Sequence, residues 1–367
     1  MPRRKPGRVH RRLRFAFLSA ASAAAAVALP IALPGGGAPA PVSQTPPPPQ
    51  QAAGRLFSPT SFWNAALPAD AAVDPESNTL VTALSSEVAE ERSLGTGPWI
   101  QTDEATTPLY TVPPDQPTVQ VHLDVRARAW NASLRKALTA VPIPPGARPA
   151  AGRDAFMTVW QPSTDKLWEL WRARRAWDGW HASWGGAMQS VSQSPGYYGP
   201  WAWPGGGYNW GATATSLPVI GGTMLPQEIA AGHIDHALAL DVPNARFRWF
   251  AWPAQRSDGT GSLSMLPEGA RLRLDPRVDV ASLGLTPLGE MMAEAAQRYG
   301  VVVRDRTHHA VGFFAQDIVG SDPYHGRSGF FGGKTPAQVL AGFPWNRLQV
   351  LKMSTCSQAP CSRGTSP

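Results

Sequence analysis

Residues 233–242, HIDHALALDV, carry the pattern that most narrows the folds open to this chain. Read as a strand, the segment sends alternate residues to opposite faces. His233, Asp235, Ala237, Ala239 and Asp241 then share one face, and Ile234, His236, Leu238, Leu240 and Val242 the other. The second face is apolar apart from one histidine, so it belongs against a core or along the floor of a cleft. Arg246–Trp252 is the expected pairing partner. The wider stretch Leu217–Arg256 is where turn signals, strand patterning and ionisable side chains coincide.

Further strands are expected on both sides. Phe156–Gln161 and Lys166–Arg172 flank the turn signal Pro162-Ser163-Thr164-Asp165 and read as a hairpin. Val301–Asp305 and Val311–Gln316 read as a second hairpin around Thr307-His308-His309. Helices are expected from Asp74-Pro75 to about Arg92, over Ala127–Val141, and from Thr286-Pro287 to Tyr299. Strands dominate and the helices are isolated, so the expected class is mainly β: an antiparallel β-sandwich or jelly roll with a few peripheral helices.

The formal charge of +7 belongs to the N-terminus, where Arg3, Arg4, Lys5, Arg8, Arg11, Arg12 and Arg14 precede any acidic residue. Without those seven the chain is near neutral, so no nucleic-acid partner is expected. Phe15–Leu33 is apolar and Ala38-Pro39-Ala40 offers a small-residue cleavage site. The expected organisation is a signal peptide or uncleaved signal anchor over 1–40 and a Pro-rich linker over 41–54. A single β-rich domain over 55–353 and a Cys/Ser-rich tail over 354–367 complete it. The implied location is secreted or extracellular, with membrane contact only through an uncleaved anchor. In an exported chain Cys356 and Cys361, the only cysteines, are expected to close a small loop.

Fifteen tryptophans are many for 367 residues, and nine of them lie between Trp160 and Trp210. Trp160 and Trp168 suit a sandwich core. Trp201, Trp203, Tyr208 and Trp210 instead sit in the Gly/Pro-rich segment 194–211, where flat aromatic faces suit sugar rings. Asp154, Asp165, Glu169, Asp235, Asp241 and Asp305 supply carboxylates in the β region. His233 and His236 form an H-x-x-H pair, but residues three apart on a strand point to opposite faces, which disfavours zinc. No metal site and no cofactor are expected. Nucleophile-elbow, phosphate-loop and dinucleotide fingerprints are absent from the sequence.

The runs DAFMTVWQPSTDKLWELW, LPVIGGTMLPQEIAAGHIDHALAL, FAWPAQR and AEAAQRYGVVVRD resemble a group of exported, mostly actinobacterial β-rich proteins. The resemblance covers about Asp154–Asp317 and implies a shared fold and export, with no reaction attached. It puts Asp154, His236, Trp252 and Arg256 at motif positions. Ala155 stands where similar sequences carry a histidine.

These readings converge on an exported glycan-active enzyme, a polysaccharide hydrolase or lyase using acid/base chemistry in an aromatic-lined cleft. The candidate catalytic residues are His236, Asp154, Asp235 and Arg256; the candidate substrate-binding residues are Trp201, Trp203, Tyr208, Trp210 and Trp252. The alternative is a non-catalytic module that binds carbohydrate or the cell envelope. If export is real, N-terminal sequencing of extracellular protein will find a mature start near Pro41, and material confined to the cytoplasm would refute it.

Overall fold

The structure is a computed structural model that describes residues 55–364; the signal and linker expectations fall on residues 1–54 and lie outside it. In chain order the strands begin with β1 (Trp99–Gln101), β2 (Leu109–Thr111), β3 (Val121–Leu123), β4 (Met157–Gln161) and β5 (Lys166–Trp171). They continue with β6 (Arg174–Ala176), β7 (Gly179–Ala182), β8 (Trp184–Gln189), β9 (Leu238–Val242) and β10 (Phe250–Ala251). The last are β11 (Arg271–Leu274), β12 (Val301–Arg306), β13 (Gly312–Phe314), β14 (Leu348–Val350) and β15 (Thr355–Cys356). The α-helices are α1 (Ser77–Leu94), α2 (Ala132–Ala137), α3 (Pro226–Ala231), α4 (Pro287–Arg298) and α5 (Pro336–Val339).

The central sheet has six strands in the order β1-β13-β9-β12-β11-β14, and a second sheet runs β2-β4-β5-β8. Smaller sheets are β3-β7-β6 and β10-β15. The chain is therefore rich in sheet with few helices, but the sheets are mixed. β9 is parallel to β12 and antiparallel to β13, while β1 with β13, β2 with β4 and β3 with β7 are also parallel pairs. The expected all-antiparallel pattern is corrected accordingly.

Strand parity explains the layering. Leu238, Leu240 and Val242 of β9, Val301 and Val303 of β12, and Phe313 of β13 pack with Leu80 and Leu84 of α1 and Leu288 and Met292 of α4. Ala239, Val302 and Phe314 point the other way and share a core with Met157, Val159, Leu167 and Leu170 of the second sheet. The leucine face of β9 thus meets helices, and its alanine face lets the second sheet approach. α4 starts as its sequence demands: Thr286 accepts a hydrogen bond from Gly289 N at 3.1 Å and Pro287 takes the first helical position. The β4–β5 hairpin forms in the expected register, Met157 opposite Leu170 and Gln161 opposite Lys166.

Four local expectations change, three of them at the central strand. Residues 233–237 are not strand: α3 ends at Gly232 with φ +83°, and the ladder starts at Leu238. Its parallel partner β12 begins only at Val301, since α4 runs to Arg298, so nothing lies beside residues 233–236 to pair with. Arg246–Trp252 does not pair with β9, because β12 and β13 already occupy both its edges; Phe250–Ala251 pairs with β15 instead. For the same reason β12 and β13 form no hairpin, having β9 between them. The helix expected over Ala127–Val141 is reduced to α2 with a short 3-10 turn before it.

Leu240→Ala should cost about 2–5 kcal/mol through the cavity it leaves, and Thr286→Ala about 1 kcal/mol through the lost cap. Urea midpoints of the two variants test this ordering.

Candidate functional site

The carboxyl ends of the parallel neighbours β9 and β12 gather charge. A β-bulge breaks their register after Val303, so Asp305 rather than Arg304 lies opposite Asp241. A bulge sets two residues against one and re-aims side chains. Here it brings both Arg304 and Asp305 to Asp241. Arg304 is 1 % exposed; its Nε stands 3.7 Å from Asp241 Oδ1 and its guanidinium lies 3.8 Å above the Phe314 ring. Asp305 accepts from Ala214 N at 3.2 Å and from its neighbour Arg306 N at 3.0 Å.

Two further carboxylates join from the segment after β10. Glu268 is fully buried, and its Oε2 accepts from Asp258 N at 3.1 Å. Gly269 fixes that position. Its φ is +85°, and a side chain there would put Cβ 1.8 Å from Ala251 O. Asp258 faces solvent, with Arg306 Nη2 at 3.3 Å from Oδ2. Asp258, Glu268 and Asp305 each offer an oxygen, all within 4.8 Å of one another, and so could hold a cation. Burial pushes the carboxyls of Asp241, Glu268 and Asp305 up from the ordinary range, and the negative charge of Asp241 adds to the rise at Asp305.

Beside this cluster lies a cleft of about 530 Å³ whose wall includes Tyr208, Asn209, Arg248, Gln255, Arg256 and Ser257. Arg256 pins the aromatic segment in place. Its Nε donates to Ser216 Oγ at 3.0 Å, and Nη2 donates to Thr213 O at 2.7 Å and Gly211 O at 3.2 Å. Glu169 holds the same segment from beneath, accepting from Ala212 N at 2.8 Å and Val219 N at 2.9 Å. Desolvation by its complete burial raises the Glu169 carboxyl to about 7 against those bonds. The rim is closed by Ser357–Ala359, inside the loop that the Cys356–Cys361 disulfide makes. Gln255 clamps that loop, its Nε2 donating to Cys361 O and its Oε1 accepting from Cys361 N, both at 2.8 Å.

The expected site residues divide into groups. Arg256 and Tyr208 line the cleft, and Trp201 meets Tyr208 edge-on at 5.7 Å while remaining 42 % exposed. Trp252 is partly buried and packs edge-on against Phe62 and Tyr197. Trp203 is partly buried near Trp168. Trp210 is 1 % exposed and fills the core, so it offers no face to a ligand. Asp154 accepts from Trp171 Nε1 at 2.9 Å and is close enough to Asp241 for its charge to raise that carboxyl, which ties it to the acidic cluster.

His236 and Asp235 belong elsewhere. They precede β9, whereas the cluster lies at its far end, and Leu238 to Asp241 alone spans about 10 Å at the rise of a strand. Both ring nitrogens of His236 are engaged: Nε2 with Glu228 Oε2 at 3.1 Å and Nδ1 with Ala237 O at 2.9 Å. Asp235 meets His233 at 3.1 Å and accepts from the Tyr299 hydroxyl at 3.3 Å. Sequence reading had named Asp241 and Asp305 among many carboxylates, but it missed Glu268, Asp258 and Arg304. Their signals were a charged residue in a buried-strand pattern (Arg304) and a turn that interrupts a strand run (Pro267-Glu268-Gly269). Comparison with protein-family models, curated proteins and solved structures gives no match.

The His236–Glu228 pair has a pH signature. Burial alone would lower the imidazole, but the Glu228 carboxylate outweighs it and the net shift is upward; Glu228 itself is held low by His236 despite its burial. A raised histidine stabilises below its unfolded pKa, about 6.5, and that contribution is lost as pH rises through the folded value. The depressed Glu228 stabilises above its own unfolded pKa and loses that contribution as pH falls. Glu228→Gln should therefore remove a loss of stability above about pH 6.5, seen as a wild-type-minus-variant difference in urea midpoint that shrinks from pH 5.5 to 8.

Proposed function

We propose that this chain is an exported enzyme that cleaves an acidic polysaccharide by β-elimination. One observation carries the reading: the cleft wall combines Tyr208 with Arg248, Arg256 and Asn209 and includes no carboxylate among its lining residues. A glycosidase needs two carboxyl groups facing across the scissile bond, and this wall supplies cations and a phenol instead. The carboxylate of a uronate residue would lie against the Arg248 and Arg256 guanidiniums, where neutralising its charge acidifies the adjacent C5–H. Tyr208, with its phenol ionised, would take that proton and deliver it to the leaving oxygen. The C4–O bond breaks, a C4–C5 double bond forms, and no co-reactant is consumed. Trp201, beside Tyr208, offers a flat apolar face for a neighbouring sugar.

Export is supported by the Cys356–Cys361 bridge, the chemistry of an oxidising compartment, and by the basic and apolar segments before residue 40. Membership of the actinobacterial exported group belongs to the same reading. So does a sandwich of the six- and four-stranded sheets, supported by the core that Val302 and Phe314 share with Met157 and Leu167. A non-catalytic glycan-binding module is the second reading, and it draws on His236, whose ring is fully bonded and thus serves as an anchor.

The test is ultraviolet absorbance of unsaturated uronate, followed on a panel of uronate-containing polysaccharides. Tyr208→Phe should lower kcat about 10²-fold or more with little change in KM, and Arg248→Ala should mainly raise KM. Saturable binding without any absorbance change would favour the binding module. Neither binding nor cleavage across the panel would remove both readings.

A further inference from the structure

We propose that Asp258, Glu268 and Asp305 form a site for a calcium-class divalent cation. Asp258, Glu268 and Asp305 present oxygens within 4.8 Å of one another, the span across a cation whose oxygen ligands stand at about 2.4 Å. That spacing alone describes any acidic cluster; the hydrogen-bond inventory around it supplies the second argument. Glu268 Oε1 is buried and accepts no hydrogen bond. An orphaned carboxylate oxygen in the interior costs several kcal/mol unless a positive partner compensates it.

No local arginine hydrogen-bonds that Glu268 oxygen. Arg256 donates to Ser216 and to backbone carbonyls through Nε and Nη2, and none of its bonds reaches the cluster. Arg304 donates to Val219 O and Thr223 Oγ1, and its Nε, 3.7 Å from Asp241 Oδ1, pairs with that carboxylate rather than with the cluster. Arg306 reaches only Asp258, from the solvent side. Three carboxylates thus converge on a place where backbone geometry, through the bulge at Val303–Asp305 and the left-handed Gly269, holds them together against their mutual repulsion. An all-oxygen, all-anionic donor set selects a hard cation over zinc or copper.

The site stands independently of the elimination chemistry, because its readout is binding. The purified chain is treated with EDTA and dialysed. CaCl₂, MgCl₂ and MnCl₂ are then titrated in by calorimetry, and melting is followed at each concentration. The expected result is saturable heat near one ion per chain with Ca²⁺ and a rise in Tm of roughly 4 °C at a hundredfold excess over Kd. Glu268→Gln relieves repulsion, so it should melt at or above the metal-free wild type while losing at least tenfold in Ca²⁺ affinity. Should that buried variant fail to fold, Asp258→Asn at the solvent-facing position carries the same test, with an expected loss of at least tenfold. Absence of heat and of any Tm rise with all three ions overturns the proposal. Wild-type affinity in Glu268→Gln, or in Asp258→Asn where that variant stands in, overturns it equally.

Discussion

Charge held inside the protein is the constraint on which this structure depends. Glu169 and Arg304 are buried to 1 % exposure or less, and Asp241 and Glu268 are buried close to them. An ionised group in such surroundings persists only with good partners. Glu169 meets the condition with two backbone N–H groups, and those two bonds dictate how residues 212–219 cross the second sheet. Arg304 meets it with Val219 O, Thr223 and the face of Phe314. The segment between the two sheets is therefore shaped by electrostatics as much as by packing, and the cleft inherits its shape from that segment.

Much of the framework was legible because it is local. The β4–β5 hairpin is specified by its turn and by alternation within a dozen residues, and α4 by a threonine cap followed by proline. The central strand was only half legible. Its apolar alternation identified Leu238–Val242, but where the ladder begins is set by the end of α4, some sixty residues further on. That β9 lies between β12 and β13 is likewise a non-local fact: a fully buried strand and an edge strand can carry the same alternation. The site suffered most. A bulge changes which residue faces Asp241 without leaving a mark in composition, so the meeting of Asp241 with both Arg304 and Asp305 was invisible. Glu268 drew no attention in the sequence, and its zero exposure is what distinguishes it.

His236 carries a structural load through both of its ring nitrogens. Its imidazole ties the end of α3, through Glu228, to the backbone that enters β9. The arrangement is a strut that uses both ring nitrogens of one imidazole. Arg256 combines two roles, since the nitrogens that fasten the aromatic segment belong to a guanidinium that also lines the cleft.

The disulfide loop completes the cleft. Ser357–Ala359 follow every other cleft residue in the chain, and they reach the rim only when Gln255 grips Cys361 and β15 lies down on β10. The last stretch of the described fold thus supplies one side of the cleft, and that side is held in place by a covalent bridge, a glutamine clamp and a two-stranded ladder rather than by the hydrophobic core.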